Sequence, residues 1–263
     1  MPLPKMYSKL APWFHLLTAP EDYAEEAAFY LETLTRAIGR KPKTLLELGS
    51  GGGNNASHMK RHVKMTLVDL SPRMLKLSRS INPECEHRRG DMRTVRLGRE
   101  FDAVFVHDAV MYMTTRRDLL AAMRTAYAHL RPGGAAVFVP DYTRETFRPS
   151  THSGGHNEAA TGRGLRYLEW TSDPDPRDTK YDVDFAFLLR GRDGSVRIER
   201  DHHVFGLFPR AEWLRLLRRA GFRARAVRSK HSDLAVASEV FVGVRASSPQ
   251  PPPLSRSRER GRG

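Results

Sequence analysis

Thr44-Leu45-Leu46-Glu47-Leu48-Gly49-Ser50-Gly51-Gly52-Gly53 decides the fold. The first five residues form a short, mostly apolar run of strand length. Glycines at 49, 51 and 53 then sit where a strand turns into a helix. Without side chains, such a turn lets the backbone approach a ligand closely. Gly-x-Gly alone is weak evidence, because flexible turns share it, so the flanking sequence must decide.

Downstream, strand and helix signals alternate. Lys64–Leu70 reads as a second strand. Ser71 is the expected N-cap and Pro72 the first residue of a helix over Pro72–Ser80. Glu86–Arg89 is a third strand and Phe101–Val106 a buried fourth. Arg116–Leu130 has a helical apolar face of Leu119, Leu120, Met123, Tyr127 and Leu130. It is expected to stop at Arg131-Pro132-Gly133-Gly134, before a strand at Ala135–Val139. This order predicts an α/β fold: a doubly wound, Rossmann-like parallel sheet with helices on both faces. Upstream, Glu21–Ile38 reads as a helix ending at Gly39, its apolar face being Ala24, Ala27, Ala28, Leu31, Leu34 and Ile38.

After Val139 the pattern changes. Thr143–Gly164 is polar and rich in Gly and Pro. Arg166–Thr171, Asp182–Arg190 and Val196–Gly206 then read as strands of an antiparallel insert, with Asp193-Gly194 as a hairpin turn. Pro209–Ala220 returns to helix, closed by Gly221. Phe222–Val227 and Val236–Val244, joined by Arg228–Ala235, read as a final hairpin at the sheet edge.

A ligand follows from the strand ends. Asp69 closes the second strand, where a carboxylate can accept from both hydroxyls of a ribose; the plain alternative, a helix cap, is weakened by Ser71. Asp91, in Gly90-Asp91-Met92, can accept from an adenine amino group, with Met92 or Met74 packing on the ring or serving as ordinary core. A dinucleotide-binding dehydrogenase shares this layout but wants glycine at the sixth position of its fingerprint, which here is Asn54. Glu47 is also misplaced beside a pyrophosphate and suits an ammonium group instead.

Leu46-Glu47-Leu48-Gly49-Ser50-Gly51-Gly52-Gly53, Val68-Asp69-Leu70-Ser71, Gly90-Asp91-Met92, Phe101-Asp102-Ala103-Val104 and Leu130-Arg131-Pro132-Gly133-Gly134 together resemble the successive motifs of class I S-adenosylmethionine (SAM)-dependent methyltransferases. The resemblance implies a seven-stranded sheet whose last strand is antiparallel, with SAM as cofactor. It implies contacts to the methionine part from Glu47 and Gly49, to the ribose from Asp69, and to the adenine from Asp91 and Met92. His107, after the fourth strand, would sit beside the methyl donor. Gly51, Gly53, Leu70, Met74 and Tyr7 complete the expected cofactor contacts. The N-terminal helix and the insert resemble small-molecule N-methyltransferases of the glycine and dTDP-aminosugar type. There, an N-terminal aromatic segment (here Tyr7, Trp13 and Tyr23) closes over SAM and the insert builds the acceptor pocket.

An amine acceptor must lose a proton before attack, and a hydroxyl needs a nearby base. His107, His156, Tyr112 and Asp141 are the expected catalytic side chains, with Glu145 close by. His107 could equally be hydrogen-bonded within the sheet edge, and His156 could be an exposed loop histidine. His202 and His203 are adjacent on a strand and should face opposite ways, which speaks against a metal pair; no metal is expected. An arginine partner is expected for Asp108, and Arg144, Arg148 and Arg163 are candidates to hold an acidic group of the acceptor. The expected function is SAM-dependent methylation of a small molecule, nitrogen ahead of oxygen. An O-methyltransferase, an RNA or protein acceptor and a non-catalytic SAM-binding module are the alternatives.

The bulk properties agree. The chain has 263 residues, 40% of them hydrophobic, enough for one large core. One domain is expected over 1–246, with a helical cap at 1–40, the insert at 141–206 and a disordered basic tail at 247–263. The net charge is +14, of which the tail supplies +3; the remaining cations are scattered, so nucleic acid is not the expected partner. Cys85 is the single cysteine, which excludes an intramolecular disulfide. No apolar run is long enough to span a membrane and no secretory signal is read, so a cytoplasmic monomer or homodimer is expected.

Overall fold

A computed structural model describes residues 3–228 and 239–247. The N-terminal segment carries α1 (Phe14–Leu17) and α2 (Ala24–Ile38). There follow β1 (Thr44–Leu48), α3 (Asn54–Met59), β2 (Lys64–Asp69), α4 (Pro72–Ile81), β3 (Glu86–Arg89), β4 (Phe101–His107), α5 (Arg116–Ala128) and β5 (Leu130–Val139). The insert holds β6 (Ser150–Gly154), β7 (Asn157–Glu158), β8 (Arg163–Ser172), β9 (Lys180–Arg190) and β10 (Val196–Gly206). The chain then returns through α6 (Arg210–Ala220) to β11 (Arg223–Arg228) and β12 (Glu239–Val244).

The large sheet runs β11-β12-β5-β4-β1-β2-β3. β12 is antiparallel to both its neighbours and the other pairings are parallel. Period-two alternation splits the strand residues between two cores. Leu46, Leu48, Val104, Val106 and Phe138 face α5 and α6. Leu45, Leu67, Ala103, Phe105 and Val137 face α2 and α3. The insert is a second, antiparallel sheet, β10-β9-β8-β6, with β7 paired to β8. A third cluster of Met6, Leu10, Leu16, Leu165, Phe187 and Leu189 packs the N-terminal segment onto this sheet.

Three expectations are corrected. The buried face of α2 is Ala27, Tyr30, Thr33 and Leu34, while Ala24 and Ala28 are exposed; the large Tyr30 ring packs, tilted, on Phe105 with centroids 5.2 Å apart and sets the face. Helix α5 ends at Ala128, and Leu130 belongs to β5. The Pro-Gly-Gly stretch lies within β5, where the register to β4 shifts and Gly133 takes φ +80°. The polar run after Val139 contains strands β6 and β7, held by pairing to β8. The expected hairpin at the sheet edge is present as the β11–β12 pair; its connection and the tail at 248–263 lie outside the described residues.

Candidate active site

The glycine turn leaves β1 tethered to β2, since Gly49 and Ser50 both donate their N–H to the Val68 carbonyl at 2.7 and 3.0 Å. Gly49 has φ +78°, and a Cβ there would lie 2.4 Å from Ala109 Cβ and 2.8 Å from Met92 Cε. Only glycine satisfies both constraints. Gly51 donates its N–H to Asp69 Oδ2 at 2.8 Å, and Ser71 donates to Asp69 Oδ1 at 2.7 Å. Asp69 therefore ties the turn to the start of α4, while Ser71 caps the helix through Met74 N–H at 3.2 Å. Each Asp69 oxygen still has accepting capacity for a hydroxyl. Burial pushes its carboxyl upward, opposed by the N–H bonds from Ser71 and Gly51.

Glu47 is 3% exposed, and its Oε2 has no hydrogen-bond partner. Burial, reinforced by Asp69 and Glu26, raises its carboxyl to about 8. A buried carboxyl without a cation is costly and marks a place prepared for one. The ammonium of SAM fits this residue, and a ribose fits Asp69. Met74 and Met92 are buried below the turn, whereas Leu70 is 45% exposed beside them, an apolar side chain open to a ring. Asp91 differs: its carboxylate takes both Arg93 Nε and Nη2, at 3.0 and 2.6 Å, and the Arg93 N–H. Its acceptor capacity is largely spent on a neighbour two residues away.

At the carboxyl ends of β4 and β5 a second group assembles. His107 stacks on Phe105, with ring centroids 5.7 Å apart. Its Nδ1 lies 3.3 Å from Asn55 Nδ2, and its Nε2 lies 3.2 Å from Asp108 Oδ1 and 3.4 Å from Glu26 Oε1. Asp108 is the one non-glycine residue among those described with positive φ, +44°. Such strain persists where the surroundings impose it. Among the described residues no arginine meets Asp108; its carboxyl is hydrogen-bonded to that of Asp141. The protein around it, then Glu26, pushes the Asp108 carboxyl upward, and burial with Asp108 lifts Asp141 well above the carboxylate range. Two carboxyls in contact share one proton. Water reaches half of the Asp108 side chain, so these groups line an open, protein-walled cleft rather than a sealed core.

The N-terminal segment lies over the turn, and Phe14 joins the expected Tyr7 and Tyr23 there. A Cβ on Gly52 would meet the Phe14 ring at 2.6 Å, and His15 Nε2 lies 3.2 Å from the Gly52 carbonyl. Tyr7 accepts the Ser71 hydroxyl on its carbonyl at 2.6 Å, and Tyr23 lies edge-on to His107. Trp13 instead stacks under Arg163, 4.2 Å from the guanidinium, on the insert side.

Other candidates are placed elsewhere. His156 pairs with Asp22 at 3.1 Å and latches its loop to the cap, its N–H donating to the Leu16 carbonyl. Glu145 caps α6 through the Arg210 N–H. Arg144 donates to the carbonyls of Pro176, Asp178 and Leu207, and Arg148 to those of Glu145 and Phe147. Arg163 is bound to the Pro12 carbonyl and to Glu158. None of the three arginines is free for an acidic acceptor group. His202 is exposed and pairs with Asp184, while His203 is buried against Tyr112. Glu26 and Asn55 were not anticipated: no motif marks them, and only the packing of α2 and α3 brings them to His107.

The seven-stranded sheet and this carboxyl-edge site define a SAM-dependent methyltransferase. Residues 45–134 match the methyltransferase domain family. The chain is 30% identical over 234 residues to the dTDP-3-amino-3,4,6-trideoxy-α-D-glucopyranose N,N-dimethyltransferase of Streptomyces venezuelae, covering 86% of this chain and 92% of that one. The crystal structure of Streptomyces venezuelae DesVI superimposes with a TM-score of 0.80 at 27% identity, over 90% of this chain and 98% of DesVI. SAM-bound CalS10, an amino pentose methyltransferase from Micromonospora echinaspora, shares the fold at TM-score 0.71 and 24% identity, over 85% of this chain and 92% of that one. The chain belongs to the family of dTDP-aminosugar N,N-dimethyltransferases.

Proposed function

We propose that the chain methylates the amino group of a small sugar acceptor of the class its relatives use, binding that group at the carboxylates of Glu26, Asp108 and Asp141. The observation that carries this reading is the charge of the cleft. In a chain of net charge +14, the edge beside His107 gathers Glu26 and the proton-sharing pair Asp108–Asp141, while Arg144, Arg148 and Arg163 are bonded to backbone carbonyls elsewhere. A cationic amine is drawn to such a cleft, and a phosphate or carboxylate is repelled from it.

In this reading Glu47 holds the ammonium of SAM, Asp69 its ribose hydroxyls, and Leu70, Met74 and Met92 flank the adenine. Gly49, Gly51 and Gly53 leave the space, and Phe14 and Tyr7 close it. Bound SAM supplies an electrophilic methyl group. The chain's own residues orient the acceptor and exclude water. His107, Tyr112 and Asp141 surround the acceptor nitrogen; His156 holds the lid. The whole of residues 1–246 acts as one domain, with the insert as the acceptor wall.

The test is direct. Purified protein is incubated with SAM and dTDP-3-amino-3,4,6-trideoxy-α-D-glucopyranose, the free amino sugar, and the matching 3-hydroxy sugar. Mass spectrometry should show one and then two methyl groups on the amino compounds and none on the hydroxyl compound. Methylation of the hydroxyl sugar, or of none of the three, would refute the amine assignment. No helix among the described residues is long and apolar enough to cross a membrane, and we propose a cytoplasmic enzyme that acts on this diffusible acceptor.

A further inference from the structure

Three side chains beyond the cofactor turn are linked in the seam between the two sheets. The Tyr112 hydroxyl lies 2.8 Å from His203 Nδ1. His203 Nε2 lies 3.2 Å from Asp201 Oδ2, within ion-pair range though off the line of a straight hydrogen bond. His203 is 4% exposed, enclosed by Phe185 and Phe205. Asp201 Oδ2 also accepts the Met6 N–H at 2.9 Å, and the Lys5 N–H donates to the same carboxylate. Tyr7, the next residue, hydrogen-bonds Tyr112 through its hydroxyl. Residues 5–7 therefore contact both ends of the linkage.

The direction of the hydrogens follows from the partners. Burial raises the Asp201 carboxyl, but the N–H bonds from Met6 and Lys5 and the approach of the His203 ring outweigh it and hold the group below its ordinary range. A carboxylate only accepts, so His203 Nε2 must carry hydrogen. In the neutral imidazole Nδ1 is then bare and accepts the Tyr112 proton. The phenol donates inward, which leaves its lone pairs for the acceptor cleft. Burial raises the Tyr112 hydroxyl well above the usual phenol range, so it stays neutral and can pass a proton but not store its loss.

We infer that Tyr112, His203 and Asp201 form a proton relay that removes the proton an acceptor amine must lose before methylation. The inference rests on the amine reading of the acceptor. The nitrogen's proton passes to the Tyr112 oxygen as the Tyr112 proton passes to His203 Nδ1. The phenol is neutral before and after, and the positive charge ends on the imidazole beside Asp201. Tyr112 is the group that meets the acceptor; His203 and Asp201 are positioning residues that fix its hydrogen and receive the charge.

Two measurements test this. In protein labelled with 15N-histidine, the His203 signal is identified by its loss in His203→Gln. At pH 7.5 it should report the neutral Nε2–H tautomer, and Asp201→Asn should convert it to a mixture. An Nδ1–H tautomer, or an imidazolium at that pH, overturns the relay whatever the acceptor is. Second, Tyr112→Phe and His203→Gln should each lower kcat at least tenfold on the dTDP-amino sugar while the Kd for SAM stays within twofold. Glutamine can still accept from Tyr112 and donate to Asp201 but takes no proton. The double variant should be no slower than the worse single one. Multiplicative losses, or an unchanged kcat in His203→Gln, overturn the proposal. If the wild-type protein leaves the amino sugar unmethylated, the amine reading fails, and the tautomer result still decides the relay.

Discussion

Glu47 couples cofactor binding to protonation. Its carboxyl is buried, unpartnered and raised to about 8, so at pH 7 it is largely protonated. An incoming ammonium should displace that proton. Calorimetry at pH 7 in buffers of different ionisation enthalpy should show release approaching one proton on SAM binding. Glu47→Gln should abolish the buffer dependence and weaken SAM by roughly 2–3 kcal/mol, as for loss of a charge-assisted hydrogen bond. The sign for the ligand-free protein follows. An acid raised in the folded state stabilises it fully below its ordinary value and loses that stability as pH rises through about 8. Tm without ligand should fall between pH 6 and 9, and SAM should flatten the trend. Asp69→Ala should weaken SAM by roughly 1.5–3 kcal/mol; unchanged affinity in calorimetry would remove the ribose assignment. Both residues are legible in sequence because Asp69 ends β2 and Glu47 lies one residue before the end of β1, next to the glycine turn. The engagement of Asp91 is not, because the flexible Arg93 captures it only in the folded turn.

Helix ends and strand starts carry sharper signals than helix faces. Ser71 and Gly221 occupy the cap positions their residue types favour. Gly39 and Gly53 separate two reasons for glycine. Both have positive φ, but a Cβ at Gly39 meets nothing within 4 Å, whereas at Gly53 it lies 2.3 Å from Asn82 and Ser78. Gly39→Ala should cost about 1 kcal/mol, the conformational term alone. Gly53→Ala should cost at least twice that in urea unfolding, since buried neighbours must move. Equal costs would contradict the close packing at the turn. Asp102 binds the strand starts together, accepting the Lys43 and Thr44 N–H groups and pairing with Arg40 and Arg131. Against the cost of burial, these partners hold it at about 2. Its stabilisation is complete above the ordinary value and is lost as pH falls through about 2. Asp102→Asn should destabilise at pH 7 and much less at pH 2. The face of α2, by contrast, was misread by counting alanines, because one tyrosine ring outweighs several methyl groups in buried area.

Across the whole molecule the charge is unevenly spent: a basic surface surrounds an acidic cleft. The N-terminal segment is held closed from the insert side by Arg163, which stacks on Trp13 and binds the Pro12 carbonyl. Arg163→Ala should therefore speed SAM dissociation, measured by stopped flow, with little change in Tm. A slower or unaltered rate would detach the cap from cofactor retention. The sequence by itself determined the alternation of strands and helices, the glycine turn and the positions of Glu47 and Asp69 beside it, because these depend on strand periodicity, local backbone geometry and short spacings. Only the tertiary structure brought together the groups around His107 and Tyr112. Glu26 comes from α2, Asn55 from α3, Asp108 and Asp141 from adjacent strand ends, and His203 from a second sheet. These groups are far apart in sequence, and their protonation depends on burial and on one another, which no local pattern records. The loop from Glu47 to Gly53 is thus readable as written, whereas the acid cleft it faces exists only once the chain is folded.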